Sequence, residues 1–102
     1  MLSPEAYLQL SASNALYGEV GPNLVRLTGE FRDNTVVLQW VLLSPATEDE
    51  VEDYRCASTG IIADYSDALM EEDFVRVADF GNAHATKPLP VGIFSRNLAA
   101  ER

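Results

Sequence analysis

One cysteine, one histidine and seven basic residues are all that this 102-residue chain holds of three chemically active classes. A lone cysteine cannot close a disulfide within the chain, which suits a reducing compartment and makes the cytoplasm the expected location. The few bases face sixteen acids, for a net charge of −9. A field of that sign repels phosphate backbones, and the counterion release that drives nucleic-acid binding needs cations, so no direct nucleic-acid contact is expected. Long apolar runs are missing too: the longest, near Val36 to Leu43, is broken by Gln39 and is far short of a bilayer span, so no membrane role is expected. Met1-Leu2-Ser3-Pro4-Glu5 lacks the basic stretch and apolar core of a secretory signal. No glycine-rich phosphate loop is present, since Gly18, Gly21 and Gly29 have the wrong spacing and lead into a strand rather than a helix.

These scarcities thin out the chemistry. Cys56 and His84 are the only nucleophile–base pair to weigh, and Cys56 stands among Glu52, Asp53 and other carboxylates, where a thiolate is disfavoured. The acidic runs Glu48 to Asp53 and Glu71 to Asp73 lack the alternating oxygen ligands and turn glycine of a calcium loop. Many carboxylates are available for acid–base work, but nothing selects two of them. The expectation is a protein without catalytic residues, metal or cofactor.

What the chain does have is ordinary globular material, 47% hydrophobic and 23% charged, in an amount that fits one domain over residues 1–102. Ser3 and Pro4 read as N-cap and first position of a helix running to about Tyr17. Its apolar residues fall on two sides, Ala6, Leu10, Tyr17 and Val20 against Leu8, Ala12, Ala15 and Leu16, which leaves homodimerisation open. Gly18 and Gly21-Pro22-Asn23 end it. Leu24 to Arg32 alternates as a strand, with Val25, Leu27 and Phe31 on one face, and Gly29 marks a bulge or a close approach. Asp33-Asn34 suits a two-residue hairpin loop, after which Thr35 to Leu43 returns as the strongest strand. Both of its faces are apolar, so it should be central, its second face covered by a loop of the chain or by a partner. Asp73 to Phe80 reads as a third strand, Gly81 to Pro90 as a loop, and Val91 to Arg96 as a short edge strand. The predicted fold is α+β, of order αββαββ, a mainly antiparallel four-stranded sheet with both helices on one face.

The second helix carries the charge. Eleven of the sixteen acids lie between Thr47 and Asp79, against Arg55 and Arg76 alone. The helix is expected over Thr47 to Asp67, with Thr47 and Glu50 spaced as a capping box. Val51, Tyr54, Ser58, Ile61, Ile62 and Tyr65 share the face toward the sheet. Opposite lie Asp49, Glu52, Asp53, Cys56, Gly60, Ala63 and Asp64, with Gly60 either giving room to another backbone or sitting idle on the surface. Glu48, Asp49 and Glu50 are explained by the helix dipole, worth about 0.3–1 kcal/mol each in the first turn. The acids beyond that turn serve solubility or a basic protein partner, and Asp49, Glu52, Asp53, Asp64, Asp67, Glu71 and Glu72 are the candidate partner-binding residues.

Gly18-Glu19-Val20-Gly21-Pro22-Asn23-Leu24 with the hairpin after it, the acidic start Thr47-Glu48-Asp49-Glu50, and Ile61-Ile62-Ala63-Asp64-Tyr65 resemble small bacterial immunity proteins of contact-dependent growth inhibition and related polymorphic toxin systems. The resemblance covers Met1 to Tyr65. It implies a non-enzymatic protein that binds and neutralises a cognate toxin domain, often a basic nuclease, through an acidic surface. The competing reading from the residues alone is a self-associating structural or regulatory domain.

Overall fold

The computed structural model describes residues 3–16, 21–65, 67–78 and 87–95. Expectations for Tyr17, Gly18, Val20, Asp79, Phe80, Gly81 to Thr86, His84 among them, and Arg96 onward lie outside the described residues. Six elements run α1 (Pro4–Leu16), β1 (Leu24–Arg32), β2 (Thr35–Leu43), α2 (Glu48–Ile62), β3 (Leu69–Val77) and β4 (Val91–Ser95). The order is αββαββ.

Local chemistry sets most of these boundaries. The Ser3 hydroxyl accepts a hydrogen bond from the Ala6 N–H at 3.1 Å, capping α1. Asp33 and Asn34 both have positive φ, 51° and 58°, the geometry that a tight hairpin between twisted strands requires. Thr47 caps α2 by accepting from the Glu50 N–H at 3.2 Å. The other half of the expected capping box is not made, because the Glu50 side chain turns instead to the chain at Asn23. The second helix also ends at Ile62, five residues before the expected Asp67, in a tightened turn where Asp64 and Tyr65 donate to Ile61 and Ile62.

The sheet has the strand order β3-β2-β1-β4, with β2 inside as expected and β4 at an edge. Two pairings, β1 with β2 and β1 with β4, are antiparallel. The third, β2 with β3, is parallel and holds register from Thr35↔Leu69 to Leu43↔Val77, with α2 as the crossover. This places β3 four residues earlier than expected and draws Glu71-Glu72-Asp73 into the strand. An edge strand tolerates such residues, since charges there stop another strand from adding.

Both helices pack on one face of the sheet around a single core. Leu8, Ala12 and Leu16 of α1 and Val51, Tyr54, Ala57 and Ile61 of α2 meet Leu24, Leu27, Val36, Leu38, Trp40 and Leu42. Trp40, fully buried, is sandwiched between the rings of Tyr54 (centroids 5.0 Å apart) and Phe74 (5.9 Å), and Arg55 lies over the far side of Phe74 at 5.3 Å. Only the Leu8 side of α1 is core; Leu10 on the other side is 53% exposed. Gly29 is a close approach rather than a bulge: a Cβ there would come within 3.2 Å of Leu8 and 3.3 Å of Ile93. The bulge lies earlier, at Leu24/Arg26, and it turns Val25 away from the expected Leu27 face into a second cluster with Val41 and Val77.

That second face is covered in part by the chain itself. The Gln39 amide donates to the Lys87 carbonyl at 3.1 Å and accepts from Arg26 at 3.1 Å, while the Leu89 N–H donates to the Thr28 hydroxyl at 3.1 Å. Gln39 and Thr28 are buried polar groups satisfied by this segment on its way into β4.

Gly60 faces the other helix. A Cβ added there would meet the Ala15 Cβ at 3.6 Å, an ordinary contact. Gly60→Ala is therefore expected to raise unfolding free energy by about 0.5–1 kcal/mol through helix propensity, measured by urea denaturation.

Candidate protein-docking surface

The seven candidate acids are exposed, and strand alternation together with the helix end divides them into three groups. Asp49, Glu52 and Asp53 lie on the outer flank of α2. Glu72 falls on the same side of the sheet, two residues before the Phe74 that Arg55 covers, so it extends this flank. Glu71 alternates onto the opposite sheet face and does not join them. Asp64 and Asp67 stand past the end of α2, near the β1–β2 hairpin.

Bases on the flank are few and engaged. Arg55 pairs with Glu52 at 3.0 Å, and Arg76 pairs with Glu48 at 3.1 Å while donating to the Ala46 carbonyl at 2.6 Å. Both pairs are exposed, where an ion pair contributes at most about 1 kcal/mol, so they leave the flank strongly acidic at little energetic consequence. Cys56, also exposed, sits on this helix. Among the described residues no three His, Cys, Asp or Glu side chains converge as a metal site.

Asp64 has a structural task. Its carboxylate accepts from the Ser11 hydroxyl, and its backbone carbonyl accepts from the Tyr7 hydroxyl at 2.9 Å, which ties the end of α2 to α1. Asp67, at φ 63°, offers its carbonyl to the Asn34 side chain at 2.8 Å and so links the same end to the hairpin. Above these ties sits an aromatic group: Tyr65 stacks on Phe31 and meets Tyr7 edge-on, each with centroids 5.2 Å apart. Burial, and then the neighbouring Tyr7 and Asp64, push the Tyr65 phenol up to about 12.

Glu50, set aside at the sequence level as a dipole-stabilised acid, organises the turn before β1. It accepts from the Asn23 N–H (3.2 Å), the Asn23 side chain (2.9 Å) and the Tyr54 hydroxyl (2.7 Å), and that hydroxyl in turn accepts from the Gly21 N–H at 3.1 Å. A Cβ at Gly21 would lie 2.7 Å from the carboxylate and 2.9 Å from the Tyr54 hydroxyl, so a larger residue there would push these side-chain ends aside. The i,i+4 spacing of Glu50 and Tyr54 hinted at their contact; nothing in the sequence linked either to Gly21.

The described residues thus present an acidic flank and, past the end of α2, an aromatic tip braced by the bonds of Asp64 and Asp67. Residues 5–97 match the model of a family described as MafI2 immunity protein. The chain belongs to the MafI2 immunity protein family. Membership covers nearly the whole chain, including the C-terminal third that the resemblance to toxin-immunity proteins had not reached. A comparison with curated proteins finds no match. Among the described residues, no helix of this MafI2 family member is long and apolar enough to cross a membrane.

Proposed function

We propose that this MafI2 family member is a non-enzymatic, cytoplasmic inhibitor that docks on a basic cognate toxin domain and blocks it, with α2 presenting the acidic surface. The observation that carries this reading is the flank of Asp49, Glu52, Asp53 and Glu72, all exposed, whose two basic side chains, Arg55 and Arg76, are each paired with a glutamate. Family membership supplies the toxin; the flank supplies the sign of its surface. Such a field concentrates an oppositely charged partner and speeds encounter. A nuclease, whose own site must attract phosphate, is the toxin type that fits best. Binding requires no cofactor and no nucleic acid. Self-association through the second sheet face is the poorer reading, because Lys87 to Leu89 occupy the middle of that face.

The test is association kinetics with the purified toxin domain. Glu52→Lys combined with Asp53→Lys is expected to slow association by about tenfold at low salt and to flatten its dependence on ionic strength. Association at the wild-type rate, with the wild-type salt slope, would overturn the assignment of this flank.

A further inference from the structure

The acidic flank explains attraction but gives a partner little to hold. Affinity in protein interfaces rests on a few aromatic or apolar anchors near the centre, ringed by polar residues. Among the described residues the large apolar side chains that stay well exposed are Tyr7 (39%), Leu10 (53%), Phe31 (37%) and Leu69 (69%), and all but Leu69 lie on the helix side of the sheet. Phe31 touches Tyr65, which touches Tyr7. Leu10 follows Tyr7 by one helical turn, whereas Leu69, two residues before Glu71 in β3, alternates onto the opposite sheet face. The tip is held by the bonds of Asp64 and Asp67, so little side-chain freedom is lost when it is covered.

The tip also has a cleft. Glu5, Glu30, Phe31, Pro90 and Val91 line a hollow of about 120 Å³. That is well below the several hundred Å³ of a small-molecule site and suits one inserted side chain. Two carboxylates beside an aromatic ring favour a cation, through ion pairing and the face of the ring. Glu30 holds Arg32 at 3.2 Å in the free protein, a surface pair weak enough to be exchanged.

We propose that this tip is the anchor of the toxin interface, taking a lysine or arginine side chain of the toxin into the cleft between Glu5 and Glu30 while Tyr7, Leu10 and Phe31 pack against the surface around it. The proposal rests on the immunity reading and assigns a division of labour: the α2 flank governs encounter, the tip governs residence. The charge argues for a basic partner rather than a second copy, since two such tips would bring Glu5, Glu30, Asp64 and Asp67 against their own like charges.

The experiment measures both rate constants for the purified toxin domain on wild type, Phe31→Ala, Leu10→Ala and Glu5→Gln, with thermal melts to verify folding. Phe31→Ala is expected to speed dissociation by about 30-fold or more and the other two by about three- to tenfold, with association changed by less than about threefold. Leu10 is so exposed that its truncation leaves the fold intact, and it keeps the test open if Phe31→Ala melts early. Wild-type dissociation rates in Leu10→Ala and Glu5→Gln, with wild type itself binding and neutralising the toxin, would overturn the anchor and leave the immunity function standing. A wild-type protein that does not bind the toxin would overturn both. A dimer in sedimentation that the same substitutions dissolve would overturn the anchor alone.

Discussion

Trp40→Ala is expected to lower the unfolding free energy by about 3–5 kcal/mol, the usual cost of removing a large buried aromatic side chain together with the cavity it leaves. The effect follows from position. Trp40 is fully buried on the central strand and spans the gap between Tyr54 on α2 and Phe74 on the edge strand, so its loss loosens a helix and a strand together. Against a total of about 5–15 kcal/mol for a natural domain, this is about a fifth of the stability or more. A drop in melting temperature of at least about 12 °C by circular dichroism is the expected reading. Trp40→Phe should behave differently. The indole N–H is buried without a hydrogen-bond partner among the described residues, a defect that itself costs about 1–3 kcal/mol. Phenylalanine keeps the stack and removes that donor, so its net cost should stay below about 2 kcal/mol. Equal losses for Ala and Phe would show that the stack is not what holds the layers.

Glu50→Ala is expected to cost about 2–3 kcal/mol, since it removes an ionised acceptor from three hydrogen bonds and frees the turn at Gly21 to Asn23. Its access to water keeps the figure below the sum of three such bonds. Burial pushes this carboxyl up, but the bonds from Tyr54 and from the Asn23 side chain and backbone outweigh it and hold the group below its ordinary 4.5. The sign follows. A carboxyl depressed in the folded state stabilises fully above its unfolded value, and that contribution fades as pH falls through the folded value. Wild type should therefore lose its advantage over Glu50→Gln as urea titrations move from pH 6 to below about 4.5. A double-mutant cycle with Tyr54→Phe should give a coupling of at least about 0.5 kcal/mol, and strict additivity would refute the network.

The parts of the fold that were legible in advance are those decided by near neighbours. Leu24 to Arg32 and Thr35 to Leu43 alternate, Asp33-Asn34 accepts the left-handed turn, and Ser3 and Thr47 cap the helices where they should. What escaped depends on distant neighbours. Glu71-Glu72-Asp73 are poor strand formers, and they extend only because β2 provides a parallel partner along its full length. Val25 changes face because of a one-residue bulge that no periodicity reveals. The second face of β2 is closed by Gln39 and Thr28 reaching a segment some 50 to 60 residues away in sequence. The candidate site divides similarly. Its acidity was visible as composition, whereas the separation of Glu71 from Glu72 needed strand alternation, and the aromatic tip is assembled from α1, β1 and the end of α2.

The pairing of β4 with β1 has a consequence for the order in which the molecule comes into being. Gly29 finds Val91, and Gln9 on α1 donates to the Gly92 carbonyl at 2.7 Å, so the first helix and first strand complete their contacts only with the last strand. Closing so long a loop is slow compared with forming the hairpin. On the ribosome, the β1–β2 hairpin and the α2 crossover to β3 are free to assemble early, but the helix that carries Tyr7 takes its final seat only when nearly the whole chain has emerged. A nascent chain would thus display its negative flank before α1 is fully seated.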